Sequence, residues 1–239
     1  MRYSRLFATA FLVASPVLAQ TTSTVRPRVD EWRRAHEREI LDEAIALLSI
    51  PNVASDSVNI ARNVDWLTAA FAKRGVTMRT LRAPTGGSPA LFGELRSPGA
   101  TRTIVFYAHY DGQPVAGGGW DGDPFKPELR RYTNSVATDV VPLPARGSTI
   151  DPEVRIRARS ASDDKGPIVA MLAALDALKA NDLAPAINIK FFLEGEEEAG
   201  STHLGDTQKF ASGAVSSSGT VRYFVLPARS IFLTLEGRF

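Results

Sequence analysis

The 239-residue chain contains no cysteine, so disulfides, thiolate zinc ligands and cysteine nucleophiles are all excluded. Charge of one sign is not in excess either: 28 Lys and Arg stand against 26 Asp and Glu, a net +2. The basic residues are scattered and form no long run, which excludes a nucleic-acid partner held by electrostatics. The chain also lacks the ~20 consecutive apolar residues that a bilayer crossing needs. Histidine is scarce, with three in the whole chain, so each one is worth placing.

What is present belongs to a soluble globular protein. Hydrophobic residues make up 44% and charged residues 23%, and the length suits one α/β domain or slightly more. Met1–Arg5 is short and basic, Leu6–Leu18 is largely apolar, and Val17-Leu18-Ala19 offers small residues before a cut. This three-part layout predicts a signal peptide over 1–19, an exported (periplasmic or secreted) product, and no membrane contact after cleavage. Without Arg2 and Arg5, 26 basic and 26 acidic residues remain, and the balance is zero.

A polar linker is expected over 20–29. Helical spacing is then read over Asp30–Ile50 and Ser57–Arg74, the second capped by Asp56 or Ser57 and stopped at Gly75. Strands are predicted at Val76–Leu81, Ala90–Leu95, Thr103–Ala108, Ile187–Leu193 and Val221–Leu226. The unbroken apolar run Ile104–Ala108 suggests a strand covered on both faces. Lys165–Ala180 reads as a buried helix, and Thr133–Pro152 as a long surface insertion. The alternation predicts an α/β fold with a mixed, mostly parallel sheet flanked by helices.

Three segments follow predicted buried strands or open the buried helix, where open α/β sheets place their ligands. His109-Tyr110-Asp111 can aim an imidazole at a metal with a carboxylate behind it; taken alone, the pattern fits a hydrogen-bonded structural histidine better. Ser162-Asp163-Asp164-Lys165 opens the apolar helix and belongs at a polar rim, although acids at a helix start are stabilised by its dipole without any function. Glu194-Gly195-Glu196-Glu197-Glu198 crowds four acids that repel one another unless a cation intervenes or the turn is solvated. Taken jointly they form an N/O donor set suited to zinc, with manganese or cobalt as further candidates.

These segments, with Trp120-Asp121-x-Asp123-Pro124-Phe125, occur in an order that resembles the co-catalytic zinc exopeptidases of metallopeptidase family twenty, and among them the carnosinase-type dipeptidase branch. The resemblance covers about residues 30–204, a partial, zinc-exopeptidase-like catalytic domain. It implies two zinc ions, with His109, Asp163 and Glu198 as metal ligands, Asp111 steering His109, and Glu197 as general base. The implied reaction is hydrolysis of a peptide or N-acyl amide bond in a small peptide or acyl-amino-acid substrate. The alternative is a catalytically incomplete fragment or an exported divalent-metal-binding module without turnover.

The pattern also departs from that family. After Glu198 the only acids are Asp206 and Glu236, and the remaining histidines, His36 and His203, read as structural. A distal acidic ligand, a late histidine and the lid and dimerisation domain are not evident. Residues 205–239 read as a divergent segment, oligomeric state is not readable, and an exposed sheet edge is expected.

Overall fold

The computed structural model describes residues 22–84, 86–116, 119–133 and 136–200, together with the strands at 222–226 and 230–234. Its principal sheet holds β1 (Met78–Leu81), β2 (Ala90–Leu95), β3 (Thr103–His109) and β7 (Asn188–Glu194) in the order β1-β2-β7-β3. β1 pairs with β2 and β2 with β7 antiparallel, and only β3–β7 is parallel. The sheet is therefore mixed rather than mostly parallel. β1 ends at Leu81 and β2 begins at Ala90, a connection shorter than the dozen or so residues that a parallel crossover needs.

Three helices form as their sequences dictate. α2 (Glu37–Leu48) buries Leu41, Ala44, Leu47 and Leu48. α3 (Ser57–Ala72) starts where the Asp56 side chain accepts the Asn59 N–H at 3.1 Å, and the chain turns out of it at Gly75 with φ +79°. α4 (Lys165–Ala180) buries Ile168, Val169, Leu172 and Leu175 in a core shared with Phe71, Leu91, Phe191 and Leu193. The expected linker is instead helical: α1 spans Thr22–Ala35 with Pro27 inside it. Arg28 explains its anchorage, donating from Nε to Asn181 Oδ1 (3.2 Å) and from Nη2 to Asn181 O (2.6 Å) at the end of α4.

Two further expectations are corrected. Ile104–Ala108 is not covered on both faces among the described residues: Phe106 is 38% and Tyr107 42% exposed, and successive strand residues point to opposite faces; β3 also has a single strand neighbour there. Thr133–Pro152 is not all loop. β4 (Glu128–Thr133), β5 (Val136–Val141) and β6 (Val154–Arg157) form an antiparallel sheet in the order β5-β4-β6. The stretch between β5 and β6 is fastened to α2 by Arg146, which meets Glu39 at 2.7 Å and Asp42 at 2.9 Å. β8 (Arg222–Leu226) fulfils the expected late strand and pairs with β9 (Ser230–Thr234).

Candidate metal centre

Because β3 and β7 are parallel and in register, with His109 opposite Glu194, their chains leave the sheet at the same end. The Tyr110 N–H extends the ladder by one bond to Glu194 O, 2.7 Å. The start of α4 is brought to this end as well: the His109 N–H donates to Asp164 Oδ2 at 3.3 Å, and Asp163 and Asp164 are joined by a cis peptide. His109 Nε2 lies 2.9 Å from Asp163 Oδ1. Donor atoms of His109, Asp163 and Glu198 all fall within 4.8 Å of one another, with His109 buried, Glu198 half-buried and Asp163 exposed.

Asp111 organises this group from behind. It is fully buried, and its two carboxylate oxygens accept the backbone N–H groups of Glu197 (3.2 Å) and Glu198 (3.0 Å), fixing the short 3₁₀ turn Glu197–Ala199. The same carboxylate lies 3.3 Å from His109 Nδ1. That contact is off the N–H line, and Nδ1 has no directed hydrogen bond, so the attraction is chiefly electrostatic. Gln113 donates to Glu198 Oε2. Glu197 is placed beside the group through its backbone; its exposed carboxylate is not one of the three donors.

The four clustered acids do not face one another as the sequence suggests. Glu194 accepts the Tyr107 hydroxyl at 2.7 Å, and Glu196 accepts the Ser88 N–H at 2.9 Å, both from buried positions. Gly87 makes room for Glu196, since a Cβ there would stand 2.2 Å from its Oε2. A cavity of about 520 Å³ adjoins Glu196 and Ala199, with Ile60, Val64 and Arg82 in its wall.

The electrostatics describe a site short of positive charge. Burial opposes the charged form of His109, yet Asp111 first, then Asp163 and Asp164, outweigh it and raise the imidazole to about 9. Burial also pushes Glu198 and Asp164 above the usual carboxylate range, and the neighbouring Asp163 and Glu197 charges add to this in both. A divalent cation would relieve the two donor carboxylates and replace the proton on His109. One imidazole and two carboxylates match the three-ligand sets of catalytic zinc and related ions, so the residues present fit one such cation.

One functional-end residue escapes the sequence reading. Lys165 is not at a polar rim: it is 1% exposed, and its Nζ donates to Leu47 O (2.9 Å) and Ile50 O (2.8 Å) at the end of α2. Burial lowers it to about 7. The signal was there, since Lys165 lies three and four positions before Ile168 and Val169 on the buried stripe of α4. His36 is structural as expected, stacked on Trp32 at 4.3 Å and bonded to Trp32 O. His203 lies outside the described residues.

Comparison with known proteins gives a consistent picture. Residues 136–227 match the family model described as Peptidase family M20/M25/M40, a match that runs past residue 204. The chain is 34% identical over 134 residues to the human Beta-Ala-His dipeptidase, covering 54% of this chain and 22% of that protein. It is 27% identical over 171 residues to the Cys-Gly metallodipeptidase dug1 of Schizosaccharomyces pombe, covering 66% and 32%. A solved M20 family metallo-carboxypeptidase from Sulfolobus solfataricus superposes with a TM-score of 0.54 at 30% identity, over 73% of this chain and 35% of that one. The chain thus spans 22% to 32% of the length of these curated relatives.

The exported location is corrected on the same comparison. The dipeptidases that the chain matches are not clearly exported proteins. Residues 1–19, which alone carried that expectation, lie outside the described residues. No helix among the described residues is long and apolar enough to cross a membrane.

Proposed function

We propose, from the premise that this chain carries part of a Peptidase M20 domain homologous to Beta-Ala-His dipeptidase and the Dug1 Cys-Gly metallodipeptidase, that it contributes the metal-binding face of a zinc-dependent exopeptidase. The substrate class is a dipeptide or an N-acyl amino acid. The observation that carries this reading is the convergence of His109, Asp163 and Glu198, each from a different strand end or helix start, within 4.8 Å.

His109, Asp163 and Glu198 would hold the ion. Bound there, zinc supplies polarisation of the scissile carbonyl and acidification of water. Asp111 keeps His109 oriented and, through the two N–H groups it accepts, sets the position of Glu197 and Glu198 together. Glu197, with an exposed carboxylate at the mouth, takes a proton from the attacking water and hands it to the leaving nitrogen. The family resemblance supplies a second zinc; the single triad among the described residues supports one.

The experiment is a titration of the purified chain with zinc, manganese and calcium, followed by a dipeptide hydrolysis assay. Zinc binding that is lost in His109→Ala and Glu198→Gln, with hydrolysis lost in Glu197→Gln while zinc still binds, supports the reading. Zinc binding without hydrolysis moves the chain to the metal-binding module. Zinc affinity unchanged by either ligand substitution refutes the site itself.

A further inference from the structure

A side chain from a third segment reaches both limbs of the candidate centre without belonging to either. His109 and Asp111 lie where the chain leaves β3, and Asp163 lies on the stretch that opens α4, 54 residues beyond His109. Asn52, in the turn between α2 and α3, is fully buried. Its Nδ2 donates to Tyr110 O at 2.7 Å, between His109 and Asp111, and to Ser160 Oγ at 2.9 Å, three residues before Asp163. Tyr110 O can only accept, so the amide nitrogen rather than the amide oxygen faces it, and the second amide hydrogen goes to the serine. Ser160 Oγ in turn donates toward Asp111 O at 3.4 Å.

Backbone contacts lock the same junction. The Gly112 N–H donates to Asn52 O at 2.9 Å, and Val53 and Gly112 form a parallel bridge. A Cβ on Gly112 would stand 2.4 Å from Ser160 Oγ and 3.1 Å from Asn52 Nδ2, so glycine is what lets the three segments meet. The turn that offers Asn52 is itself fixed from outside the centre. Lys165 Nζ holds Leu47 O and Ile50 O, and Asn63 Nδ2 holds Pro51 O at 2.8 Å. Ser160 sits at φ +62°, a left-handed conformation uncommon for a residue with a side chain. Such a conformation persists where the surroundings over-determine it, and the two contacts to the Ser160 hydroxyl do so.

We propose that Asn52 is a positioning residue that sets the placement of Asp163 relative to His109. The proposal rests on reading His109, Asp163 and Glu198 as metal ligands. The Asp163 side chain is 75% exposed, so packing does little to place it, and the backbone that leads from Ser160 must. Asn52 ties that backbone to the His109 loop through one amide group. Without its two donors the limbs are free to move apart, and the donor set has to be gathered again each time an ion binds. A preformed set avoids that ordering cost and holds its ion more tightly.

The test measures zinc affinity of the full chain by chelator competition and the visible absorption of its cobalt-loaded form, with thermal melts to confirm folding. Asn52→Leu keeps the branched shape and drops both donors. Ser160→Ala is the milder variant, which spares the bond to Tyr110 O and cuts the link between the limbs. Ser97→Ala removes a hydroxyl bonded to Ile187 O at 2.9 Å, at the far end of β7, and serves as the structural control. Zinc binding weaker by about tenfold or more is expected in Asn52→Leu and in Ser160→Ala, with a changed cobalt spectrum. The two effects should not add in the double variant, because either one breaks the same link. Ser97→Ala should lower the melting temperature and leave both metal readouts unchanged. Unchanged zinc affinity in folded Asn52→Leu, or in Ser160→Ala should the first not fold, overturns the proposal. Additive losses, or an equal loss in Ser97→Ala, overturn it too. In each of these cases zinc binding that is lost in His109→Ala leaves the metal reading intact. Zinc affinity that His109→Ala does not alter overturns the metal reading and the proposal with it.

Discussion

Replacing Asp111 by Asn tests whether one buried carboxylate ties the imidazole to the acidic turn. The substitution keeps size and shape but offers one acceptor oxygen where two N–H groups, from Glu197 and Glu198, now find one each. The amide nitrogen would face a donor, leaving a buried N–H unsatisfied at a cost of about 1–3 kcal/mol. Losing the charge also removes the first attraction holding His109 protonated or metal-ready. A partner behind a metal-bound histidine typically contributes about 10–100-fold in affinity. The expected outcome is a melting temperature lower by about 4–8 °C for a ~2 kcal/mol loss in a domain of this size, with zinc binding weaker by at least tenfold. Differential scanning fluorimetry and chelator-competition titration measure the two effects separately. Unchanged zinc affinity in a folded Asp111→Asn chain would refute the coupling, whatever happens to the melting temperature.

Two pH dependences of opposite sign should be separable in chelator-treated protein by urea midpoints. His109, raised from 6.5 to about 9 in the fold, contributes stability that is fully present below pH 6.5 and lost as pH rises through 9. Lys165, depressed from 10.5 to about 7, does the reverse, because between these values the unfolded chain binds the extra proton and stability rises with pH. Lys165→Met should therefore lose stability from pH 6.5 to 9, and His109→Gln should gain it from pH 7 upward; parallel curves for the two variants would contradict both shifts. Gly195→Ala should destabilise by about 1–3 kcal/mol in thermal melts, since its Cβ would stand 2.3 Å from the Tyr110 hydroxyl and 2.7 Å from Pro89 O, with Tyr110 fully buried. A neutral Gly195→Ala would show that this corner can relax.

The parts of the fold legible in the sequence were those with a local cause. α3 has its Asp56 cap and Gly75 stop, α4 its apolar stripe, and β2 its flanking turns, and each forms where those signals place it. The coming together of His109, Asp163 and Glu198 was legible because each follows a strand end or opens a helix. Strand direction was not, since the antiparallel pairing of β2 with β7 joins segments about a hundred residues apart. β5 was hidden because its valines Val136 and Val140 face solvent, so no core-facing pattern marked it. Lys165 was misplaced by its charge, which hides a long apolar stem that reaches two helix-end carbonyls. The mutual repulsion expected of the Glu cluster is confined to its Glu197–Glu198 end, because backbone geometry sends Glu194 to the Tyr107 hydroxyl and Glu196 to the Ser88 N–H.

The strand carrying the imidazole and the strand leading to Glu198 are not equally fastened. β7 is laced to β2 on one flank and β3 on the other, so it cannot slide without tearing two ladders. β3 is laced along one flank only among the described residues. The nitrogen donor thus rides on the looser rail and an oxygen donor follows the stiffer one, and Asp111, two residues beyond His109, ties the end of the looser strand back to the acidic turn.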